Sequence, residues 1–343
     1  MLIGAGVVLL VVIAALVYWF NPFENKVART EPLQIGIIQY VKHLDQVIDG
    51  FKQGLTELGY EEGVDVVYTY QNADGDAAKV TEFARDYVSK DVDLILTITS
   101  AALQPTWQVT QDMGKEIPIV FTNGPGIVES GFAESYQSSG KNFTGIVPDD
   151  IEVTVKKLEF MKQIQPNKTK VGVFFGSPIA VGATEESVKA LREQAPKLGL
   201  TLVEYPIAVP PPKSPAEFQR IADSIKPGDV DAFVTVPDGT SSYQDNPLIH
   251  IALSKRIKAP IYFLTVPRVA QGGLLSYSQD YITSGKQAAA QADKIFNGVD
   301  PRDIPIEASK KNLLIINLKT AKEMGLTVPE SLLFTADKVI PAE

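Results

Sequence analysis

The chain has 343 residues, 45% of them hydrophobic, with 32 Lys and Arg against 41 Asp and Glu, for a net charge of −9. That length suits two domains of ordinary size, and an acidic chain with no basic run lacks the clustered cations that nucleic-acid phosphates require. There is no cysteine, which excludes disulfides, thiolate metal sites, cysteine nucleophiles and a lipid-modified N-terminal cysteine.

Residues 2–20, LIGAGVVLLVVIAALVYWF, carry no charge. As a helix this run is about 28 Å long, close to the hydrocarbon thickness of a bilayer. Tyr18 and Trp19 stand at its end, where aromatic side chains favour the membrane interface. Residues 1–20 are therefore expected to form a transmembrane anchor. A cleaved signal peptide is the rival, but the bulky Tyr-Trp-Phe-Asn-Pro ending lacks a small-x-small cleavage pattern. Lys26 and Arg29 follow the run and no basic residue precedes it, so the positive-inside rule alone would put the body in the cytoplasm. Residues 21–32 are polar, contain Pro22 and Pro32, and read as a tether.

From there, short apolar runs alternate with helical periodicity. Strands are expected at 33–39, 65–70, 94–98 and 117–121, and helices at 44–58, 77–88 and 102–113. A second series follows, with strands at 170–175, 201–207, 232–236 and 261–264 and helices at 187–198, 215–225 and 248–257. DVDLILTITS (91–100) and DVDAFVTVPD (229–238) begin as near copies and mark the third strand of each half. Gly36 and Gly172, second in IGI and VGV, mark the first strand of each. A further strand at 273–278, a helix at 281–296, a strand at 313–317 and a helix at 318–324 complete the pattern. Alternating strands and helices imply βαβ units with parallel sheets. The fold class is therefore α/β: two Rossmann-like lobes joined by a multi-strand hinge, lobe 1 at 33–147 plus 279–307 and lobe 2 at 148–278 plus 308–343. In open α/β sheets ligands sit beyond the carboxyl ends of the strands, so both repeated phrases end at the cleft.

The loops at those strand ends supply the candidate ligand-binding residues. After the first strand come Gln39, Tyr40 and His43. Gln39 can both donate and accept, and Tyr40 can narrow or stack in the cleft. His43 either caps the following helix or lines the cleft. Thr99, Ser100 and Ala101 open a helix, where hydroxyls and free N–H groups suit an anion. Thr122 and Asn123 follow the fourth strand. In the second lobe the candidates are Ser177, Asp238 and Tyr243; an Asp in a cleft pairs with an ammonium, although Pro-Asp-Gly is also a turn signal. Asp280 follows the crossing strand and either meets ligand or caps the next helix. Hydroxyls on one side and a carboxylate on the other suit a ligand of both signs, such as an amino acid. His43 and His250 are the only histidines, so neither a metal site nor a Ser-His-Asp triad assembles. No phosphate-binding loop or nucleophile elbow occurs, and no catalytic residue and no cofactor is expected: the chain reads as a non-enzyme.

IGIIQYVKHLDQVIDGFKQGLTELGY (35–60), TITSAALQ (97–104), IPIVFTN (117–123), KNFTGI (141–146), VPDGTSS (236–242) and GGLLSYSQDYITSGKQAAAQADKIFNGVDPRDIPIE (272–307) together resemble the ABC-transporter substrate-binding proteins of the tryptophan/tyrosine-binding type. The resemblance covers residues 33–340. It implies the type I periplasmic-binding fold and a receptor outside the cytoplasm, on the outer face of the plasma membrane or in the periplasm. It also implies a small-molecule ligand, an aromatic amino acid above all, with an ABC permease and ATPase as partners and closure about the hinge. The alternative use of such a fold is the ligand-binding ectodomain of a signalling or chemosensory system. Two stretches depart from the family pattern and bear on the ligand: NGPGIVESGFAESYQSSG (123–140), where relatives carry a short Asp-Pro turn, and KHLDQVIDGF (42–51), where relatives often have His-Pro.

Overall fold

The computed structural model describes residues 31–40, 44–179, 182–211, 213–243 and 245–342. The expected anchor at 1–20 and His43 lie outside these residues. No helix among the described residues is long and apolar enough to cross a membrane.

The first part of the chain runs β1 (Leu33–Gln39), α1 (Asp45–Glu57), β2 (Val66–Asn72), α2 (Ala77–Ser89), β3 (Leu94–Ile98), α3 (Ser100–Asp112), β4 (Ile119–Thr122) and β5 (Phe143–Val147). The second runs α4 (Asp150–Ile164), β6 (Lys170–Gly176), α5 (Ala183–Gln194), β7 (Thr201–Ile207), α6 (Ser214–Ser224), β8 (Ala232–Val234), α7 (Asn246–Ile257), β9 (Ile261–Phe263) and α8 (Val266–Ala270). The last runs β10 (Leu275–Gln279), α9 (Tyr281–Phe296), β11 (Glu307–Ala308), β12 (Asn312–Asn317), α10 (Leu318–Met324), α11 (Glu330–Thr335) and β13 (Lys338–Ile340).

Two sheets result. One has strand order β11-β5-β4-β3-β1-β2, the other β13-β12-β10-β9-β8-β6-β7. The first is parallel throughout; in the second only the β10–β12 pair is antiparallel. Parallel strands covered on both faces carry unbroken apolar runs, and every residue of β3 is buried. Helices α1 and α9 bury Phe51, Leu55, Ala288, Ala292 and Phe296 on one face of the first sheet. Helices α2 and α3 bury Val80, Ala84, Leu103 and Val109 on the other. In the second lobe α4 and α5 cover one face and α6 and α7 the other.

The two landmark glycines have the same physical cause. A Cβ on Gly36 would lie 2.4 Å from the Tyr87 ring, and one on Gly172 would lie 2.6 Å from the Phe233 ring. Each first strand is thus a floor for an aromatic ring.

The chain passes between the lobes three times: from β5 into α4, from β10 into α9, and from β11 into β12. Leu275 and Ser276 lie inside β10 and the second sheet, so the second crossing comes at Gln279–Asp280.

Candidate functional site

Between the lobes, the loops leaving the strands' carboxyl ends come together. Asn123 of the first lobe accepts a hydrogen bond from Gln279 at the end of β10. Farther out, Gly126 approaches so near that a Cβ there would lie 2.9 Å from the Ala183 backbone nitrogen and 3.1 Å from Gly182 Cα.

On the first lobe, hydrogen-bonding capacity is left unused. Gln39, Ile98 and Thr122 stand at one level of neighbouring strands β1, β3 and β4. Gln39 Nε2, Thr97 Oγ1, Thr99 Oγ1 and Thr122 Oγ1 are buried and have no hydrogen-bond partner. Buried polar atoms are otherwise almost always paired, and leaving one unmade costs about 1–3 kcal/mol. The other end of the Gln39 amide is fixed, its Oε1 accepting from the Tyr70 hydroxyl. Thr99 sits at φ 85° and ψ 154°, a conformation nearly confined to glycine that costs about 1–3 kcal/mol. Thr99 precedes α3 without a side-chain cap bond, and its N–H donates to the Thr122 carbonyl at 2.9 Å. Ser100 is half-buried and Ala101 exposed at the start of α3. Tyr40 is tied to its own lobe, its hydroxyl donating to the Gly75 carbonyl at 2.6 Å.

The second lobe divides differently. Asp238 is buried, but its carboxylate serves its own loop, accepting from Gly176 N at 3.1 Å and Ser241 N at 2.5 Å. Asp280 caps α9, accepting from Ile282 N at 3.1 Å and from the Thr283 hydroxyl at 2.9 Å. These two carboxylates follow the turn and cap alternatives. Ser177 is half-buried and its N–H donates to Ile207 O at 2.8 Å. Tyr243 is half-buried, its carbonyl taking the Asn246 N–H at 3.0 Å.

A cavity of about 310 Å³ opens at the ends of β8 and β9. Phe174, Phe263, His250 and Leu264 form its apolar wall, Tyr281 enters from α9, and Ser241, Thr265 and Arg268 supply polar groups. Arg268 was not among the residues expected at the site, although a cation directly after a strand end (Thr-Val-Pro-Arg) was the available signal. Trp107 packs edge-on against Phe132 at 5.3 Å.

His250 is a core residue as well as a wall. Its ring centroid lies 4.6 Å from Phe233 and 4.9 Å from Phe174, and Nε2 has no hydrogen-bond partner. Burial lowers its pKa from 6.5 to about 3. A group depressed on folding contributes stability above its unfolded pKa, and that contribution is lost as pH falls through the folded value. Stability should therefore drop between pH 6.5 and 3, at up to about 1.4 kcal/mol per pH unit from this residue. Thermal melts of a His250→Phe variant should show a shallower acid slope; an unchanged slope contradicts the assignment.

A second cavity, of about 390 Å³, lies between Gly126, Glu129 and Tyr136 of the first lobe and Ala183 and Glu186 of the second, with Asp149 and Asp150 from the crossing into α4. Asp149 caps α4, accepting from Glu152 N at 3.1 Å, while Asp150 has no ion pair among the described residues. Burial raises the Asp150 pKa to about 7, against a lowering influence from Lys157. Lys157, fully buried in α4, is pushed down to about 7 by burial, and its Nζ donates to the Thr235 carbonyl at 2.5 Å. Asp150 also raises the Tyr281 hydroxyl, after burial, to about 12.

The comparisons agree with this architecture. A family model described as ABC transporter substrate binding protein matches residues 34–340. A curated relative, the "Tyrosine-binding protein" of Clostridioides difficile (strain R20291), is 28% identical over 306 residues, 88% of this chain and 84% of the relative. Among solved structures, the ABC domain in complex with L-Trp from Streptococcus pneumonia is 25% identical with a TM-score of 0.74, covering 90% of this chain and all (100%) of that one. The ligand-free, open structure of a substrate binding protein with adhesive properties from Clostridium difficile is also 25% identical, with a TM-score of 0.73 over 91% of this chain and 100% of that one. With a family match spanning nearly all of the two-lobed body, the chain belongs to the ABC transporter substrate-binding proteins.

Proposed function

We propose that this protein is the extracytoplasmic receptor of an ABC importer, tethered to the membrane by residues 2–20. It captures an amino acid with an aromatic side chain between its lobes and presents it to the permease and ATPase. The observation that carries the reading is the set of orphaned polar atoms at Gln39, Thr97, Thr99 and Thr122. They lie at the carboxyl ends of adjacent parallel strands, where such sheets bind ligands. Their unmade hydrogen bonds suit a polar head group, and the aromatic wall across the cleft suits a flat apolar side chain. The tyrosine-binding relative and the L-Trp-bound neighbour favour the same ligand class.

Isothermal titration against a panel of proteinogenic amino acids, nucleosides and sugars tests it. Binding of L-tyrosine or L-tryptophan at micromolar Kd or tighter, about −8 kcal/mol, is expected. Failure of every amino acid in the panel, or preference for a sugar, contradicts it.

A further inference from the structure

An amide side chain offers a ligand either its oxygen or its NH2 group, and whatever holds the other end decides which. Two amides at the carboxyl ends of the first sheet are each held by the oxygen. The Tyr70 hydroxyl donates to Gln39 Oε1, leaving Gln39 Nε2 buried and without a partner. Gln279, at the end of β10, donates from Nε2 to Asn123 Oδ1, and Asn123 Nδ2 donates to nothing among the described residues. Both holding groups are themselves fixed in role. Burial and the charges of Asp45 and Asp74 raise the Tyr70 pKa, so the phenol keeps its proton and can donate. The Ser284 hydroxyl stands 3.5 Å from Gln279 Oε1, on the oxygen end of that amide, and Ser284 in turn meets the Ser309 hydroxyl at 3.0 Å.

Gln39 and Thr122 flank Ile98 at one level of β1, β3 and β4, and Asn123 is the next residue. Strands about 4.8 Å apart set the two ends roughly 10 Å apart, a separation that one amino-acid head group spans with its hydrogen bonds. The free hydroxyls of Thr99 and Thr122 can donate or accept, so they impose no polarity of their own. The two oriented amides do: both leave donors free, and an ionised carboxylate is an acceptor only. We infer that Tyr70 and Gln279 are positioning residues, which hold Gln39 and Asn123 with their NH2 groups free so that the end of the first sheet reads the carboxylate of the ligand. This rests on the amino-acid reading above and deepens it. Neither residue needs to touch the ligand: Tyr70 lies on the edge strand β2 and is 45% exposed, and Gln279 belongs to the second sheet.

The test uses the full chain and two probes, L-tyrosine and L-tyrosinamide, in which an NH2 donor replaces one carboxylate oxygen. The unmodified protein should prefer L-tyrosine. In Tyr70→Phe the Gln39 amide is free to turn and can offer either end. L-tyrosine should then weaken by about 3- to 10-fold, the worth of one neutral hydrogen bond, while L-tyrosinamide stays unchanged or tightens. Gln279→Met frees the Asn123 amide without adding charge and should shift the preference in the same direction. The double variant should lose more of the preference than either alone. Circular dichroism and melting temperature establish that the variants fold, and L-tryptophan with L-tryptophanamide provides a parallel series. A merely structural role weakens both probes by the same factor; that result, or an unchanged preference in both variants, overturns this inference while the function stands. If no amino acid binds the unmodified protein, the function reading falls and this one with it.

Discussion

Gly285→Ala is expected to destabilise the protein by about 3 kcal/mol, at the upper end of the cost of overpacking. Gly285 lies in α9 where that helix crosses α1. A Cβ there would stand 2.2 Å from Val47 O and 2.6 Å from Phe51 N. The reciprocal position, Gly50, would bring a Cβ within 2.3 Å of Ile282 O. These are backbone atoms of packed helices, so no rotamer change relieves the overlap. The sign is informative, because glycine in a helix interior costs about 1 kcal/mol relative to alanine. Propensity alone predicts stabilisation; the crossing reverses it. Helix α9 comes from the second sheet and packs on the first, so the variant loosens the element that returns the chain to lobe 1. Urea denaturation measures the effect. Gly239→Ala, where a Cβ meets nothing within 4 Å, should stay within about 0.5 kcal/mol of the unmodified protein.

The second large effect falls on ligand affinity. Gly126→Val puts a branched side chain where even a Cβ lies 2.9 Å from the Ala183 nitrogen, across the gap between lobes. Moving the lobes apart relieves that overlap; holding them together retains it. A ligand that bridges the lobes then binds only the fraction of molecules able to close, and its apparent affinity falls by that fraction. An overlap of about 2 kcal/mol corresponds to a roughly 30-fold weaker Kd. Gly126 has φ 68° and Gly131 has φ 73°, so valine at either position bears a similar backbone strain. Gly131 has no neighbour within 4 Å, so Gly131→Val should lose stability but keep affinity. Titration of both variants with the same aromatic amino acid separates strain from closure; equal affinities remove Gly126 from the closing contact.

Strand and helix periodicity made most of the body legible. The expected strand at 33–39 and helix at 281–296 coincide with β1 and α9, because an all-apolar strand and a capped amphipathic helix each leave a clear pattern. Helix α4 was not anticipated. Its inner face includes Lys157 among Val153, Leu158, Met161 and Ile164, and a buried lysine breaks the apolar period that reveals a helix. The repeated glycines in the first strands were visible as landmarks, whereas the rings lying on them come from residues 51 and 61 positions onward, Tyr87 and Phe233, beyond the reach of local pattern.

The candidate site was legible in its positions more than in its roles. Strand ends located Gln39, Thr99 and Thr122, and these keep unpartnered atoms. The same reasoning chose Asp238 because a carboxylate stands at the end of its strand. Sequence could not show that the Gly176 and Ser241 N–H groups already bond that carboxylate. Hydrogen-bond closure within a loop depends on backbone direction, which composition does not encode.

The central claim, an aromatic amino acid held between the lobes, is tested most directly by a crystal structure grown with saturating L-tyrosine or L-tryptophan. One molecule is expected in the cleft, its head group within hydrogen-bond distance of at least two of Gln39, Thr99 and Thr122, and its ring against Phe174, Phe263 or Tyr281. An empty cleft at saturating ligand, or an amino acid bound outside it, would contradict the account.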